Sequence, residues 1–368
     1  MYTVAGISLK SSIDIPIDAF VTTDGIRQAD IQLTISTVSA SNVVVKEQSP
    51  DDVAVCSTPD DAWLFSDRTA SNGAKLLASG NYSELKADDA FLLASPERQL
   101  RLLRLPIECR FCYAGTVSLH AACIEVNGQA VCFTGDSGVG KSTRADAWRT
   151  ALGAEFISGD RPAIRMNAGN ATACGVPWDG KEQIFRNVER PLSAILEVRR
   201  APFTMFRKLI EEQTYAVLIR QAFIPMWDAD TAVLAMANVR KLAKTVPVYR
   251  LFCGPTAEDA KAAHEILFQS PEKIKKEASE MQIKEGFILR HVGDEHMVMP
   301  TGANVAKFGG AVVLTDVAAF IFEQLKQPIA KEDLLKLVIA EFEVDEETAS
   351  ADLDELVAQF QEMGLMEA

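Results

Sequence analysis

The residues with the clearest capacity for chemistry lie in the stretch "GDSGVGKS", Gly135 to Ser142. It fits the pattern G-x-x-x-x-G-K-[ST], directly after the apolar run "VCFT" and directly before a segment of helical character. Glycines let successive backbone N–H groups point into one concavity that suits phosphate oxygens, and the start of the following helix adds partial positive charge. The stretch therefore predicts a phosphate-binding loop for a nucleotide.

The polar side chains of such a loop have defined roles. Lys141 reaches the outer phosphates, and the Ser142 hydroxyl binds Mg²⁺. The alternative, a glycine-rich surface loop, is disfavoured because a strand precedes the motif and a helix follows it. The predicted nucleotide-binding residues are Gly135, Asp136, Ser137, Gly138, Val139, Gly140, Lys141, Ser142 and Thr143.

A carboxylate follows this loop at a short distance along the chain. Asp160, in "EFISGDRP", stands 18 residues after Ser142. A nucleotide-using enzyme needs a second carboxylate for its metal, and an acceptor hydroxyl needs a base close to the γ-phosphate. From the residues alone, Asp160 suits either role.

The elements that must position these residues can be predicted from local patterns. Asn127-Gly128, between two apolar runs, predicts a hairpin with a tight primed turn, and "KSTRADAWRTAL" predicts a helix that ends at Gly153. Further strands and helices are predicted from period, with a charged linker helix at 270–280. The predicted strands are 154–166, 171–177, 192–200 and 248–253, and the predicted helices are 206–223 and 230–246.

Residues 1–112 are predicted to form a β-rich domain, because short apolar stretches alternate with turn signals such as "TTDG" and "SPDD". A helix is expected after Ser95, with an apolar face from Leu100, Leu103 and Leu105. Cys109 and Cys112 form C-x-x-C without a second pair of ligands nearby, so buried thiols are favoured over a metal or redox site.

Composition narrows the class of protein. The chain has 368 residues, enough for two or three domains, and seven scattered cysteines, which favour a reducing cytoplasm. No apolar run is long enough to span a membrane, and no signal peptide is expected. The net charge of −14 argues against nucleic acid as a partner. The charge is uneven, since residues 281–368 carry 6 Lys/Arg and 17 Asp/Glu, a net of −11.

The stretch "LHAACIEVNGQAVCFTGDSGVGKSTRADAWRTALGAEFISGDRPAI" resembles the catalytic core of HPr kinase/phosphorylase, whose P-loop is related to that of phosphoenolpyruvate carboxykinase. "GVPWDGKE" followed by "PLSAILEVRR" resembles the branch that modifies ribosomally made peptides. The resemblance covers about 150 residues, predicted as a catalytic domain at 113–272. It implies ATP and Mg²⁺, with phosphate bound by Lys141, Mg²⁺ by Ser142, a base at Asp160 and support for that base from His120.

The chain departs from the family at two positions. Gly159 stands where the first of two aspartates is usual, and Arg200 replaces the glycine of the "LEVRG" signature, so a reverse phosphorylase activity is not expected.

Three further roles stay open. Glu197 is a candidate second Mg²⁺ ligand, although a register shift of one residue would turn it to the other face. Lys181 is a candidate phosphate or peptide contact, and His120 could instead be a core histidine.

The segment 281–368 resembles the PqqD family, in its paired strands, the helix "LTDVAAFIFEQL", the segment "EFEVDEETASADLDELV" and the closing "MGLME". The resemblance implies a small winged-helix domain that captures the leader of a precursor peptide as an added strand. A candidate edge strand includes Phe287, Leu289 and Val298. A DNA-binding winged helix is disfavoured by the charge of −11, and a purely structural cap is the alternative.

Together these observations predict an α/β protein with a β-rich N-terminal domain, a P-loop core and a PqqD-like C-terminal domain. The predicted function is ATP-dependent phosphorylation of Ser or Thr on a ribosomally synthesised precursor peptide, whose leader docks on residues 281–368. Two alternatives are a small-metabolite kinase with a regulatory tail and a non-catalytic, nucleotide-switched peptide escort. Whether the chain forms a homo-oligomer is left open.

Overall fold

The structure is a computed structural model with mixed α/β architecture. It describes residues 1–22, 29–38, 43–48, 52–69, 73–178, 184–271, 274–276, 280–293, 295–305 and 310–366. These residues form two compact units, 1–274 and 275–368. The boundary predicted near residue 112 falls inside the first unit, at the end of a helix.

The N-terminal region is β-rich, as predicted. Its sheet has the order β1-β2-β3-β8-β7-β6-β5-β4, in which β3 runs parallel to β2 and β8, and β4 to β8 form an antiparallel meander. Alternate side chains such as Val53, Val55, Phe65 and Leu76 are buried. The strands are β1 (Tyr2–Val4), β2 (Ile7–Ser11), β3 (Ile31–Ile35), β4 (Val44–Gln48), β5 (Val53–Ser57), β6 (Trp63–Asp67), β7 (Lys75–Ala78) and β8 (Glu84–Ala87).

Two helices follow this sheet, α1 (Asp89–Leu93) and α2 (Pro96–Tyr113). Ser95 occupies the N-cap position of α2 with Pro96 in the first turn, although its hydroxyl makes no capping hydrogen bond. Leu103 and Leu105 are buried, and Leu100 packs against the same core. This core also contains Val176 and Trp178, which come from beyond residue 113, so the N-terminal sheet and the following region are packed as one body.

The interpretation of the C-x-x-C stretch as buried thiols is consistent with the structure. All seven cysteines are free and buried. Burial, with a contribution from Glu108, raises the pKa of Cys112 to about 12, so the thiol is protonated and unreactive at neutral pH.

The central sheet has the order β12-β10-β11-β15-β14-β13-β9, and β17 also pairs with β15 and carries β16 on its far side. Strands β11, β15 and β17 are parallel neighbours. The strands are β9 (Thr116–Ser118), β10 (Ala121–Val126), β11 (Gln129–Thr134), β12 (Glu155–Ser158), β13 (Ala163–Asn167), β14 (Asn170–Cys174), β15 (Glu189–Arg200), β16 (Met205–Lys208) and β17 (Val248–Cys253).

Helices cover both faces of this sheet. One face packs α3 (Lys141–Leu152) and α6 (Ala257–Phe268), and the other packs α4 (Glu211–Gln221) and α5 (Ala229–Thr245). Side chains of β15 alternate between the two cores. Ile195 packs on the α4–α5 side, and Ala194, Leu196 and Val198 pack on the α3–α6 side.

Local predictions around the glycine-rich loop are confirmed. Asn127 and Gly128 have φ values of 52° and 75°, the left-handed pair that a primed turn requires, and helix α3 ends at Gly153 with φ of 67°.

Two predictions of helix were wrong. The helix predicted from residue 206 begins only at Glu211, because Met205–Lys208 forms β16 against β17. The helix predicted at 270–280 is extended at 275–276 and 280–281.

The C-terminal unit combines a three-stranded sheet, in the order β20-β21-β22, with three helices whose apolar faces meet at Phe322, Leu334, Leu353 and Phe360. Thr315 and Asp345 accept hydrogen bonds from backbone N–H groups and so fix the starts of α7 and α9. The elements are β18 (Lys275–Lys276), β19 (Glu280–Met281), β20 (Phe287–Val292), β21 (Glu295–Pro300), β22 (Val312–Leu314), α7 (Asp316–Leu325), β23 (Ile329–Ala330), α8 (Lys331–Phe342) and α9 (Glu346–Glu362).

The prediction that Val298 lies on an edge strand was wrong. Val298 belongs to β21, which pairs with β20 on one side and β22 on the other, and its side chain is fully buried. Phe287 and Leu289 lie on β20, an outer strand of this sheet. In the described part of the chain, no helix is both long and apolar enough to cross a membrane.

Candidate functional site

One edge of the central sheet carries the glycine-rich loop, His120, Asp160 and Glu197. Strands β11, β15 and β17 are parallel, and β12 runs in the same direction because both β11 and β12 are antiparallel to β10. Their carboxyl ends therefore lie at the same edge, together with the beginning of β10. In open α/β sheets this edge is where ligands bind.

The glycine-rich loop leaves this edge at the end of β11. Gly135, Gly138 and Gly140 have φ values of 130°, 78° and 98°, which side chains with a Cβ rarely adopt. A Cβ at Gly135 would also come within 3.4 Å of Val139 and of the Val198 carbonyl. Asp136, Ser137 and Gly138 are exposed, and Gly140 is the N-cap of α3. The loop thus presents backbone to solvent at the start of a 12-residue helix, as an anion site requires.

Lys141 folds back over this loop. Its Nζ donates to the carbonyl oxygens of Gly135 (3.0 Å) and Asp136 (3.2 Å), and only 9% of the residue is exposed. Burial lowers the pKa of Lys141, while the charges of Asp160 and Asp136 oppose this shift. Ser142 and Thr143, the next residues of α3, are exposed.

Asp160 lies just after β12 and pairs with His120, a contact that is ionic when the imidazole is protonated. His120 Nε2 is 3.2 Å from Asp160 Oδ1, and Arg161 Nε is 3.6 Å from Oδ2. The hydrogen bond from His120 is the largest cause that lowers the pKa of Asp160, and together with the charges of His120, Arg161 and Lys141 it outweighs the opposing effect of burial. Asp160 is therefore a carboxylate at neutral pH, and about a third of its side chain is exposed.

Backbone hydrogen bonds hold this pair against the sheet. Ala121 N–H donates to Asp160 O (2.8 Å), and His120 N–H donates to Gln221 O (2.8 Å) at the end of α4. The Thr134 hydroxyl, one residue before the loop, donates to His120 O (2.9 Å). Short hydrogen bonds thus join the backbone of Asp160 to Ala121, the residue after His120, and the carbonyl of His120 to the residue before the glycine-rich loop. The role of His120 stays a prediction.

Glu197 lies at the same edge but faces arginines. It stands in register between Thr134 of β11 and Arg250 of β17. Arg250 Nε donates to Oε2 (2.8 Å), Arg199 Nη2 donates to Oε1 (3.1 Å), and Arg220 Nη2 is 3.8 Å from Oε1. Burial alone would raise the pKa of Glu197, but these arginines outweigh it and lower the pKa. Guanidinium groups bind both oxygens that a metal would need, so the arrangement disfavours Glu197 as a Mg²⁺ ligand.

Two arginines that were not predicted as site residues donate hydrogen bonds to carbonyl groups of the glycine-rich loop. Arg200 donates through Nη2 to Gly138 O and through Nε to Val139 O (3.4 Å). Arg144 donates to Val139 O (3.3 Å) and to Cys253 O (2.9 Å). The replacement of the signature glycine by Arg200 was the one signal in the sequence that pointed here.

The remaining candidates are accounted for as follows. Lys181 lies outside the described residues. Within the described ranges, no group of three or more His, Cys, Asp or Glu could hold a metal ion. Mg²⁺ therefore fits this site only if phosphate oxygens complete its coordination, since Ser142 and Asp160 offer few ligands by themselves.

Comparison with known proteins adds a family for the C-terminal unit. Residues 295–366 match the family model of Coenzyme PQQ synthesis protein D (PqqD). No curated protein matches the chain.

Two solved structures are similar to parts of the chain. TbiB1 in complex with the TbiA(beta) leader peptide is 23% identical and covers 24% of this chain and 96% of its own, with a TM-score of 0.21. The Hpr(Ser) kinase/phosphatase from Coxiella burnetii is 11% identical and covers 42% of this chain and 95% of its own, with a TM-score of 0.24. The family match therefore applies to the C-terminal part of this mixed α/β chain, where residues 295–366 correspond to a PqqD domain.

Proposed function

We propose that this protein is an ATP-dependent kinase that phosphorylates Ser or Thr of a ribosomally synthesised precursor peptide in the cytoplasm. One observation carries the proposal. The glycine-rich loop with Lys141 and the His120–Asp160 pair meet at the carboxyl edge of one sheet, in a chain that also carries a PqqD domain.

In this proposal the central sheet is a P-loop core. The loop amides and Lys141 bind the β- and γ-phosphates, and Lys141 releases the carbonyl oxygens of Gly135 and Asp136 as phosphate oxygens replace them. Mg²⁺, held by Ser142 and Asp160 with phosphate oxygens, would neutralise negative charge on the phosphates. Glu197 is assigned to the positioning of Arg199 and Arg250 instead of the metal.

Asp160 acts as the general base. Its low pKa keeps it ionised, and it accepts the proton of the acceptor hydroxyl while that oxygen forms a bond to the γ-phosphorus. The bond from the γ-phosphorus to the bridging oxygen breaks, ADP carries away the electron pair, and the phosphoester forms. The hydrogen bond from His120 fixes the orientation of the carboxylate.

The C-terminal unit is proposed as a winged-helix recognition domain for the leader. Residues 281–368 offer an outer strand, β20, to which an extended peptide can add. Tethering this domain to the kinase raises the local concentration of the acceptor residue without changing the chemistry.

The direct test mixes the protein, Mg-ATP and precursor peptides encoded near its gene, and follows peptide mass. We expect a gain of one phosphate in the wild type and none in Lys141→Ala or Asp160→Asn, with nucleotide binding retained in the second variant. Equal turnover of free small alcohols or amino acids would support a small-metabolite kinase. Peptide binding without phosphate transfer, unchanged in Asp160→Asn, would support a peptide escort.

A further inference from the structure

Arg200, the last residue of β15, binds the backbone of the glycine-rich loop. Its exposed guanidinium donates to two consecutive carbonyl groups, those of Gly138 and Val139. Arg144, which is buried, donates to the Val139 carbonyl as well. Two arginine side chains thus bind the loop backbone at Gly138 and Val139.

The bonds from Arg200 also fix the direction of the neighbouring N–H groups of the loop. In a trans peptide the C=O and the N–H of the same unit point to opposite sides. The Gly138 and Val139 carbonyl groups face Arg200, so the N–H groups of Val139 and Gly140 point away from Arg200, to the opposite side of the loop. In the structure Val139 N–H donates to Asp136 O at 3.3 Å, within the loop itself.

A loop with three glycines loses much conformational entropy when it is ordered. A loop that is ordered before the ligand arrives does not lose that entropy on binding, so affinity rises. Arginine suits this role because two separate nitrogens of its planar fork, Nη2 and Nε, donate to the two carbonyl oxygens from fixed positions, whereas all donors of a lysine ammonium share one nitrogen.

We propose that Arg200 is a positioning residue that holds the glycine-rich loop ready for the phosphates of the nucleotide. This inference rests on the proposed function, because it assumes that the loop binds a nucleotide. Arg200 acts on the loop backbone, so its effect falls on the phosphate groups and not on the base.

The test measures the binding of Mg-ADP and of Mg-pyrophosphate by calorimetry to the full chain. The variants are Arg200→Ala and Arg200→Lys. Arg149→Ala is the matched control, since Arg149 is an exposed arginine in the last turn of α3 that pairs with Asp146. Thermal unfolding of each variant shows that it is folded.

We expect Arg200→Ala to raise the Kd about tenfold, by the same factor for both ligands. Arg200→Lys should lose most of the same affinity, and Arg149→Ala should match the wild type. An unchanged Kd in Arg200→Ala, a loss for Mg-ADP but not for Mg-pyrophosphate, or full affinity in Arg200→Lys would each overturn the inference. No binding of either ligand to the wild type would instead contradict the proposed function.

Discussion

His120 Nε2 lies 3.2 Å from Asp160 Oδ1, so the residue just before β10 and the turn after β12 meet beside the glycine-rich loop. The two residues are 40 positions apart in sequence. Antiparallel pairing of β10 with β12 brings them together, and the hydrogen bond from Ala121 N–H to Asp160 O holds the backbone there.

The first prediction concerns Asp160 as the base. Asp160→Asn removes the proton acceptor and retains the shape, so we expect kcat to fall by about 10²–10⁴-fold. The Kd for Mg-nucleotide should rise far less, because Ser142, Lys141 and the loop amides still bind the metal and the phosphates. Peptide phosphorylation followed by mass, with calorimetry for the nucleotide, measures both. Asp146→Asn, on the exposed side of α3, is the control. Activity of Asp160→Asn near that of the control would exclude Asp160 as the base.

The second prediction concerns pH. Because His120 holds the pKa of Asp160 below its usual range, protonation should not limit kcat/KM between about pH 5 and pH 8. In His120→Gln the ion pair is lost, the pKa of Asp160 rises, and the acidic limb of the profile should move to higher pH. Profiles of kcat/KM for both proteins give the comparison. An unmoved acidic limb would show that His120 does not set this pKa.

The third prediction concerns Lys141. Lys141→Ala removes the buried ammonium at the loop, so we expect nucleotide binding to weaken by about 2–5 kcal/mol, which is about 30-fold or more in Kd. Calorimetry with Mg-ADP checks this. The control is Lys244→Ala, an exposed lysine that pairs with Glu211. Equal affinity for Mg-ADP in the two variants would show that Lys141 does not bind the nucleotide.

The fourth prediction separates stability from metal binding at Glu197. Glu197→Gln leaves buried guanidinium groups without their carboxylate, so the free energy of unfolding should fall by about 3 kcal/mol. Since the pKa of Glu197 is lowered on folding, its contribution is present above its unfolded pKa and is lost as pH falls through the folded pKa. Urea unfolding at two pH values measures this.

The control for Glu197 is Glu155→Gln, which removes an exposed ion pair with Arg186. It should change stability by less than about 1 kcal/mol. If Glu197→Gln instead leaves stability intact and raises the Mg²⁺ concentration required for activity, Glu197 is a metal ligand after all.

The fifth prediction concerns the leader. Deleting residues 275–368, at the boundary between the compact units, should raise the KM for the precursor peptide far more than it lowers kcat. A peptide shortened to its acceptor segment should have a similarly high KM with the full chain and with the deletion variant. If the deletion leaves the KM for the full peptide unchanged, the leader does not dock on the PqqD domain.

Much of the site's local structure could be predicted from the sequence. The hairpin at Asn127-Gly128, the loop at 135–142 and the helix that ends at Gly153 depend on residues close together in the chain. Glycine conformation and helix termination are local properties, so composition and spacing predict them. The PqqD resemblance of the tail also agrees with the family match.

Strand neighbours and facing directions could not be predicted in this way. The period of residues 206–208 predicts helix, yet they pair with β17. Val298 was predicted on an edge strand, yet it lies in the central strand of its sheet. A strand places successive side chains on opposite faces, so the sequence left the direction of Glu197 ambiguous. Its register between Thr134 and Arg250 decided that it faces arginines.

The sequence by itself determined that a glycine-rich loop with a lysine and a serine begins a helix, because that motif is contiguous. Only the tertiary structure decided which distant residues act on the loop. Arg200 binds carbonyl groups 61 and 62 residues earlier in the chain, and His120 meets Asp160 through strand pairing. Such contacts depend on long-range register, which no short stretch of sequence encodes.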